Sequence, residues 1–389
     1  MSVARRLKGA IFSGVAALER VVRPRLSSQA EPLSAIKDFL LLQYPTALGA
    51  AVHATPLVPA LRAAVPDCRI AVAASGLSLE VFRNSPGVDW LIETPSPLRD
   101  LRGAVRSLRN QNPFRGERFA ALTTRGNDRT LVGLQGLLSG ANARVGFTEV
   151  PQLYRASLQF DPRKSLIDNN LRIVEVFEHP VQHFEPQIFF SQADRVRVHQ
   201  ILAESGVRED QTVVVFVTQN SGGQRTGWHT DRFTQVIRHA SERLGCAVVY
   251  VGTSRDAAAI DAIRLAAGGI GVSIAGKTNV TELAAVLAMS DVMVTLDTGT
   301  MHVGRAVKAP MVVLGPSWQK PLEWLPLEIL NARILRGQDR DSIPENYQLD
   351  EISARRVIEA LEDLLHTYPP SAEGRESRVE QSLITTSAG

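Results

Sequence analysis

The sequence has few cysteines, few aromatic residues and no long apolar run. Its 389 residues include two cysteines, Cys68 and Cys246, which stand far apart. Each begins an apparent buried strand, so we expect neither a disulfide framework nor a zinc site. The cysteine content fits a reducing compartment, and we expect a cytoplasmic location. Because no run approaches about 18 apolar residues, the sequence predicts no membrane-spanning helix.

The charge balance does not indicate a nucleic-acid-binding protein. The formal net charge is +3, whereas a nucleic-acid interface needs a concentrated basic face, so we expect no nucleic-acid partner. The 44% hydrophobic content is ordinary for a globular protein, and the length fits two domains. Much of the positive excess lies at the N-terminus, in Arg5, Arg6, Lys8, Arg20, Arg23 and Arg25.

The N-terminal segment, residues 1–26, has an amphipathic pattern. Its apolar stretch 9–18 is broken by Ser13, and no small-residue cleavage site follows, which argues against a signal peptide. At helical period the apolar residues share one side, with Arg and Lys nearby. Such a helix can lie on an anionic membrane surface, which would place the protein peripherally on the inner face of the plasma membrane. A frayed terminal helix or a disordered leader explains the pattern equally well.

Apolar runs of strand length alternate with helical patterns along most of the chain. Strands are predicted at 39–44, 69–74, 88–93, 119–124 and 144–147, and again at 212–217, 247–252, 272–275, 292–296 and 311–314. Such alternation is typical of parallel sheets with right-handed crossovers. The sequence therefore predicts an α/β protein of two doubly wound domains that face each other across a cleft.

We divide the chain into five parts. A basic N-terminal segment and linker covers 1–34, a first α/β domain 35–185 and a second 186–350. Residues 148–190 are less regular, and we place the crossover between the domains there. A C-terminal helix is expected over 351–368, and the polar tail 369–389 is predicted to be disordered.

The strongest candidate site is the segment from Asp297 to His302, between a predicted strand and a predicted helix. Ligands of open parallel sheets bind beyond the carboxyl ends of the strands. Gly299 lets a ligand approach the backbone closely, and the amides at the start of the helix can hold phosphate oxygens. Thr298 offers a hydroxyl, and His302 a further donor. The alternative is that Asp297 or Thr298 only caps the helix.

Two further strand-to-helix turns are weaker candidates. The loop 218–228 contains Gly222, Gly223 and Arg225, which together can wrap an anion, although a flexible surface loop is an equal alternative. The segment 276–278 (Gly-Lys-Thr) lacks the upstream glycine of a phosphate-binding loop. There we expect Thr278 to cap the helix 279–289, with Glu282 near the third helical position.

The matching turn of the first domain is 45–53. Gly49 again permits close approach of a ligand, and His53 faces either the cleft or the flank of a helix. The remaining histidines show no metal-ligand spacing, so no metal site is expected. No G-x-S-x-G elbow supports a hydrolase.

Short blocks in a fixed order carry a family resemblance. The second half contains 275–278 (Ala-Gly-Lys-Thr), 282–287, 290–291, 297–302 (Asp-Thr-Gly-Thr-Met-His), Pro310 and 315–317 (Gly-Pro-Ser). The first half contains 47–49, 52–53, 55–57 and 60–62, and Trp228 with 232–233 opens the second domain. From about residue 37 to 365 the chain resembles glycosyltransferase family 9, the ADP-heptose:lipopolysaccharide heptosyltransferases.

The resemblance implies a GT-B architecture of two Rossmann-like domains, with the acceptor side in the first and the nucleotide sugar in the second. It implies an inverting transfer without metal or other cofactor, from a nucleotide sugar to a glycan or glycolipid acceptor. ADP-heptose and a lipopolysaccharide-type acceptor are the default substrates. Asp297, Thr298, Gly299 and His302 would hold the diphosphate and sugar, with further contacts from Thr218, Arg225, Gly252 and Thr253.

The sequence departs from the family at the acceptor-side turn, Gly49, Ala50 and His53. The family's general base is an Asp at the position of Ala50, and Gln43 replaces its Arg. Gly227 also stands where a Lys usually precedes Trp228. Either another residue is the base, for which His53 is a weak candidate, or the acceptor differs, or the chain binds a nucleotide sugar without transferring it. A transferase that uses a different nucleotide sugar is a further alternative.

Overall fold

The computed structural model describes residues 3–22, 32–220 and 227–384. The chain divides into two compact units, Met1–Pro186 and Gln187–Gly389, and each is described by itself. Arg225 and residues 23–31 therefore lie outside the described residues, as do the last five residues of the predicted tail.

Unit 1 is a parallel sheet covered by helices. Its elements in chain order are α1 Val3–Val22, β1 Asp38–Gln43, α2 Leu48–Val52, α3 Leu57–Ala64, β2 Arg69–Ala74, α4 Leu77–Phe82, β3 Trp90–Glu93, α5 Leu101–Gln111, β4 Ala120–Thr123, α6 Thr130–Leu138, β5 Ala143–Phe147, β6 Ala156–Leu158 and α7 Leu166–Glu175. All strand pairs are parallel, in the order β3-β2-β1-β4-β5-β6. This is the strand order of a Rossmann fold.

The centre of the sheet is buried on both faces, as its unbroken apolar runs predict. In β1 the side chains of residues 39–42 (Phe-Leu-Leu-Leu) are fully buried. The ring of Phe39 packs edge-on against Phe177, which follows α7, with 5.1 Å between the ring centroids. The five strands predicted for this half are confirmed, whereas β6 and α7 were missed in the stretch that we read as irregular.

Helix α1 takes the place of a crossover helix. The connection from β5 to β6 spans only residues 148–155 and contains a 3-10 turn at Pro151–Leu153 instead of a helix. Parallel neighbours normally need a longer connection, usually helical. Here the N-terminal helix covers that part of the sheet: Phe12, Val15 and Ala16 pack against Leu137 of α6 and Leu153. The reading of residues 3–22 as a frayed or disordered leader is therefore wrong.

A buried ion pair fixes α1 to the sheet. Both carboxylate oxygens of Glu19 accept hydrogen bonds from the guanidinium of Arg144 on β5, at 3.0 and 2.6 Å. Each side chain is only 10% exposed. Arg144 also donates to the carbonyl oxygen of Leu153. At the other end of the helix, Lys8 donates to Thr130 Oγ1 at 2.6 Å.

Unit 2 repeats the architecture. Its elements are β7 Phe190–Ser191, α8 Gln192–Glu204, β8 Val213–Val217, α9 Thr230–Arg238, β9 Ala247–Tyr250, α10 Ala257–Ala266, β10 Val272–Ser273, α11 Val280–Met289, β11 Val292–Leu296, α12 Gly299–Ala306, β12 Met311–Leu314, α13 Pro321–Trp324, β13 Ala332–Leu335, α14 Ala354–Thr367, α15 Ala372–Ser382 and β14 Leu383–Ile384. The six-stranded sheet has the order β10-β9-β8-β11-β12-β13, all parallel. The two sheets thus have the same strand order, and the predicted fold class of doubly wound parallel sheets is confirmed.

The C-terminal tail is ordered as far as residue 384, contrary to the predicted disorder. α15 follows α14, and β14 pairs with β7 in a separate two-stranded sheet. The cause is electrostatic. Arg375 donates to the carboxylate of Asp291, which is 3% exposed, and Arg378 donates to the carbonyl oxygen of Ser290 at 2.6 Å. Composition alone gave no sign that these two arginines have buried acceptors.

Replacing Glu19 with Gln should destabilise unit 1 by about 3 kcal/mol, because the guanidinium of Arg144 keeps its charge in a buried place and loses its counter-charge. Denaturant unfolding, followed by circular dichroism, measures the change. The matched control is Glu359→Gln, which breaks an exposed pair with Arg355 on α14 and should leave the unfolding free energy unchanged. Equal effects of the two substitutions would contradict the packing of α1.

Arg375→Met should destabilise unit 2 by about 3 kcal/mol, since the buried carboxylate of Asp291 loses the guanidinium that is hydrogen-bonded to it. Burial already raises the pKa of Asp291, and the positive charges of Arg375 and Arg378 oppose that rise. The unfolding midpoint in guanidinium chloride is the readout. Arg163→Met, in an exposed pair of unit 1, is the control and should leave the midpoint where it is.

Candidate functional site

The candidate site of unit 2 lies where its strand order reverses. β8 and β11 are neighbours at this switch point, with Val217 paired to Thr295. The residues that follow these two strands, Thr218 and Asp297, therefore emerge at the same edge of the sheet, where open parallel sheets bind ligands. Both are buried, with 4% and 6% exposure.

Thr298 stands at the N-cap position of α12, but its side chain does not cap the helix. Its backbone is extended, with φ −144° and ψ 172°, and its hydroxyl makes no capping hydrogen bond. Thr298 is 6% exposed, and Oγ1 has no hydrogen-bond partner among the described residues. Buried polar atoms nearly always have a partner. The capping alternative for Thr298 is therefore not what the side chain does, and its hydroxyl is available to a ligand.

The start of α12 also presents main-chain donors. The first amides of an α-helix have no acceptor within the helix, and the helix dipole adds positive potential there. Gly299 and Thr300 occupy these positions and are half-buried. Together with the Thr298 hydroxyl they form a group of donors suited to an anion such as phosphate.

Asp297 is a buried carboxyl group. Burial raises its pKa to about 6, and the positive charge of Arg336 opposes part of that rise. With its amide oriented to satisfy both neighbours, Gln319 donates to Asp297 Oδ2 at 3.2 Å and accepts from Trp324 Nε1 at 3.1 Å. Gln319, Trp324 and Arg336 were missed by the sequence analysis, because each comes from a loop or element beyond β12.

His302 lies one turn into α12 and is 3% exposed. Burial, with a smaller contribution from the positive charge of Arg305, lowers the pKa of its imidazole to about 3. The ring packs beside Trp324, with 5.7 Å between the ring centroids. His302 is therefore neutral at physiological pH, and a neutral imidazole offers one N–H donor and one acceptor nitrogen.

The second candidate loop is only partly described, since residues 221–226 and with them Arg225 lie outside the described part of the chain. Thr218 and Asn220 before the gap and Gly227 and Trp228 after it line a cavity of about 410 Å³, with Ile263 of α10 opposite. Trp228 itself has a structural role: its indole donates to the carbonyl oxygen of Ile352 at 2.9 Å.

The turns after β9 and β10 are held together by local contacts. Thr253 donates from both its amide and its hydroxyl to Asp256 Oδ2, at 2.8 and 2.7 Å. Any side chain at Gly252 would meet Ile260 at 2.7 Å. Gly276, with φ +73°, donates its amide to the carbonyl oxygen of Gly252 at 2.9 Å. These glycines are needed for the fold of the turns.

The predicted cap of α11 is wrong by one residue. Asn279, not Thr278, is the N-cap, and its side chain accepts from the amide of Glu282 at 2.8 Å. The carboxylate of Glu282 accepts in return from the amide of Asn279 at 2.8 Å, which completes a capping box. Asn and Thr are both accepted at caps, so the sequence alone did not separate them.

In unit 1 the predicted acceptor-side turn forms α2. Gly49 and Ala50 are buried in it, and His53 follows at 1% exposure. The carbonyl oxygen of His53 accepts from Asn170 of α7 at 3.0 Å. Its burial within unit 1 favours the packed reading of His53. Gly126 leaves room for Ala50: with φ +96°, a Cβ there would lie 3.2 Å from the Ala50 Cβ.

Gln43 anchors a buried polar network at the switch point of unit 1. Its amide donates to Thr124 Oγ1 at 3.1 Å and accepts from Asn127 Nδ2 at 3.1 Å. Asn127 Nδ2 also donates to Thr124 Oγ1 at 3.0 Å. Gln43, Thr124 and Asn127 are each at most 1% exposed. The uncharged Gln43 therefore has neutral partners where an arginine would need a carboxylate or an anionic ligand.

The raised pKa of Asp297 predicts a pH-dependent penalty on folding. The unfolded chain loses this proton near the ordinary value of 3.8 and the folded chain near 6, so stability falls as pH rises between these values. A shift of this size corresponds to about 3 kcal/mol. The stability of Asp297→Asn relative to the wild type should therefore improve by about 3 kcal/mol between about pH 4 and pH 7. Urea unfolding across this range measures it, and a difference independent of pH would contradict the burial of the carboxylate.

The sequence comparisons give one family. The model of glycosyltransferase family 9 (heptosyltransferase) matches residues 153–335. This region contains every predicted residue of the second-domain site. No curated protein sequence is significantly similar to the chain.

Solved structures of similar fold cover most of the chain at low sequence identity. A glycosyl transferase family 9 protein from Veillonella parvula has a TM-score of 0.75 at 19% identity, over 87% of this chain and 99% of its own. ADP-heptose lps heptosyltransferase II of E. coli has 0.69 at 19% identity, over 85% and 99%. E. coli heptosyltransferase WaaC with ADP-2-deoxy-2-fluoro heptose has 0.62 at 12% identity, over 84% and 99%. The resemblance to glycosyltransferase family 9 is therefore confirmed over residues 153–335, and the fold that carries it is GT-B.

Proposed function

We propose that this protein is an inverting, metal-independent glycosyltransferase that moves a sugar from a nucleotide donor to a cell-surface glycan or lipopolysaccharide-type acceptor. Heptose from ADP-heptose is the default donor. The single observation that carries the proposal is the buried Thr298 hydroxyl without a partner, at the start of α12 and flanked by Asp297 and His302. A family 9 model matches the region around it, and a solved structure of similar fold was determined with an ADP-heptose analogue.

The charges of the site residues indicate which part of the nucleotide sugar each residue would bind. The helix amides, the Thr298 hydroxyl and the neutral His302 can all donate hydrogen bonds, so they suit the diphosphate oxygens. An ionised Asp297 only accepts, and it would repel phosphate, so it suits hydroxyl groups of the sugar. Because Asp297 has a pKa of about 6, it is mostly ionised at neutral pH. The positive charge of Arg336 also acts on Asp297 and favours its ionised form.

The other residues that we predict to bind the nucleotide sugar are supported by different observations. Thr218 is buried at the same sheet edge as Asp297, and this position supports a phosphate contact from its side chain. Gly252 and Thr253 follow β9, where their turn can take the nucleoside with main-chain groups. Arg225, which lies outside the described residues, is the remaining predicted phosphate ligand.

Transfer with inversion needs three things: a donor held by its diphosphate, an acceptor hydroxyl aimed at the anomeric carbon, and a base for the hydroxyl proton. The acceptor oxygen bonds to that carbon as the bond to the diphosphate breaks, and negative charge grows on the leaving diphosphate. The donors at the start of α12 stabilise this charge in a water-poor place. The proposal therefore assigns charge stabilisation to unit 2 and deprotonation of the acceptor to a group still to be identified.

The absence of an Asp at position 50 favours one alternative function, the binding of a sugar nucleotide without transfer. Residues 39–66 contain no Asp or Glu, so the turn after β1 offers no carboxylate, and Ala50 packs against Gly126. A protein that binds a sugar nucleotide without transferring the sugar fits this turn. Donor binding without sugar transfer or donor hydrolysis would identify that function.

Donor binding tests the site directly. Calorimetric titration with ADP-heptose and with other ADP-, GDP- and UDP-sugars should show the tightest binding for ADP-heptose. Asp297→Ala should weaken that binding at least about 100-fold, because sugar hydroxyls lose a charged acceptor and Gln319 loses its partner. Asp261→Ala, an exposed carboxylate on α10, is the matched control and should bind the donor like the wild type. Unchanged affinity of Asp297→Ala would reject the site, and no binding of any sugar nucleotide would reject the function.

Ala50→Asp should raise the rate of transfer, since a general base contributes about 10²–10⁴-fold. The gain is measured as transfer of labelled sugar to a glycolipid fraction, with donor hydrolysis followed in parallel. Ala50→Asn has the same size without a basic carboxylate and should show no gain. Equal rates for the two variants, with unfolding midpoints like that of the wild type, would show that the base lies elsewhere.

A further inference from the structure

We propose that unit 1 binds an anionic lipid surface through the solvent side of one helical layer, formed by α1, α6 and α5. This goes beyond the amphipathic pattern of the N-terminal segment, because it adds a second helix. It rests on the proposed function in one respect only: a lipid-linked acceptor would be met at such a surface.

The first part of this surface is an apolar stripe on α1. Ile11, Leu18 and Val21 are 56%, 62% and 77% exposed, and Gly14 between them has open space around it. Their spacing of three and four residues puts them on one face of the helix. The opposite face of α1 is the one that packs on Leu137 and Leu153. The stripe is thus left exposed although α1 is already fixed to the protein.

The charges of α1 complement an anionic surface. Its sequence has one acidic residue, Glu19, and this carboxylate is turned inward and paired with Arg144. The exposed side of the helix therefore has no negative charge to repel anionic headgroups. An apolar stripe with cations nearby is the pattern of helices that lie in a membrane interface.

The second part is a row of arginines on α5. Arg102, Arg106 and Arg109 follow one another at helical spacing and are exposed, whereas Ala104 and Leu108 on the other side are buried. Arg102 and Arg106 have no carboxylate partner among the described residues. Each such cation near an anionic leaflet adds to binding.

Helix α6 joins the two parts. It contacts α5 on one side, and its Leu134 and Leu137 pack with α1 on the other. The stripe and the arginine row therefore belong to the same covering layer of the sheet. Beyond the end of α5 lies a cavity of about 810 Å³ whose lining includes three arginines and one carboxylate, that of Glu117, which is paired with Arg69; the arginines are Arg109, Arg115 and Arg118. Unit 1 also has more Lys and Arg than Asp and Glu, whereas the reverse holds for unit 2.

A membrane fits this surface better than a second copy of the chain. Two copies joined through the same layer would bring unpaired arginine rows together, and like charges repel. An anionic bilayer offers apolar depth for the stripe and negative charge for the arginines at once.

The test is co-sedimentation of the full-length protein with vesicles, without donor or acceptor. Vesicles of equal parts phosphatidylcholine and phosphatidylglycerol should bind the protein, and added salt should weaken binding, whereas pure phosphatidylcholine should bind little. Leu18→Glu with Val21→Glu should reduce binding at least about tenfold, and Arg102→Glu with Arg106→Glu at least about tenfold as well. The arginine variant should also lose most of the salt dependence.

Matched controls lie on unit 2. Leu265→Glu replaces an equally exposed apolar residue, and Arg197→Glu an exposed arginine, and both should bind vesicles like the wild type. Unfolding midpoints and donor affinity of each variant separate loss of membrane binding from loss of fold or of the donor site. Absence of binding of the wild-type protein to anionic vesicles would overturn the proposal. Binding of the α1 and α5 double variants with the affinity of the wild type would overturn it as well. A dimer abolished by Leu18→Glu, without vesicle binding, would assign the stripe to a second copy instead.

Discussion

Parallel pairing constrains everything else in this molecule. Parallel strands must be joined by crossovers, and in the order β10-β9-β8-β11-β12-β13 the crossovers run toward one edge of the sheet from β8 and toward the other edge from β11. The turns after these two strands therefore meet at one edge without a covering helix. Thr218, Asp297 and Thr298 are buried there, and the hydroxyl of Thr298 has no hydrogen-bond partner in the described part of the chain. The chemistry of the site follows from the topology of the sheet.

Much of the fold could be read from the sequence, and the failures share a cause. The strands β11 and β12 were predicted with their observed bounds, because both faces of a parallel sheet are buried and such strands are continuous apolar runs. β6 and β13 are edge strands, half-buried, with weaker patterns. α15 looked like a disordered tail because its stabilising acceptors, Asp291 and the end of α11, are about 80 to 90 residues away. Local propensity carries no information on such partners.

The candidate site shows the same division. The run from Asp297 to His302 was visible as a strand, a small-residue turn and a helix start, and the structure assembles it in that form. The groups that set its charge were not visible. Gln319, Trp324 and Arg336 reach Asp297 or His302 from later segments of the chain. The pKa values of Asp297 and His302 depend on burial that only the fold creates. The sequence thus predicts which turn forms the candidate site, whereas the protonation states of Asp297 and His302 depend on the folded unit.

The position of α1 has a consequence for synthesis. The helix leaves the ribosome before the rest of unit 1, and Arg144, the partner of Glu19, comes 125 residues after Glu19. At about 5–20 residues per second, the interval is roughly 6–25 s. Throughout that time both sides of the amphipathic helix are uncovered, including the one destined for Leu137 and Leu153. The nascent chain therefore carries a hydrophobic helix that has no packing partner until β5 and Leu153 have been synthesised, so α1 cannot reach its place before them.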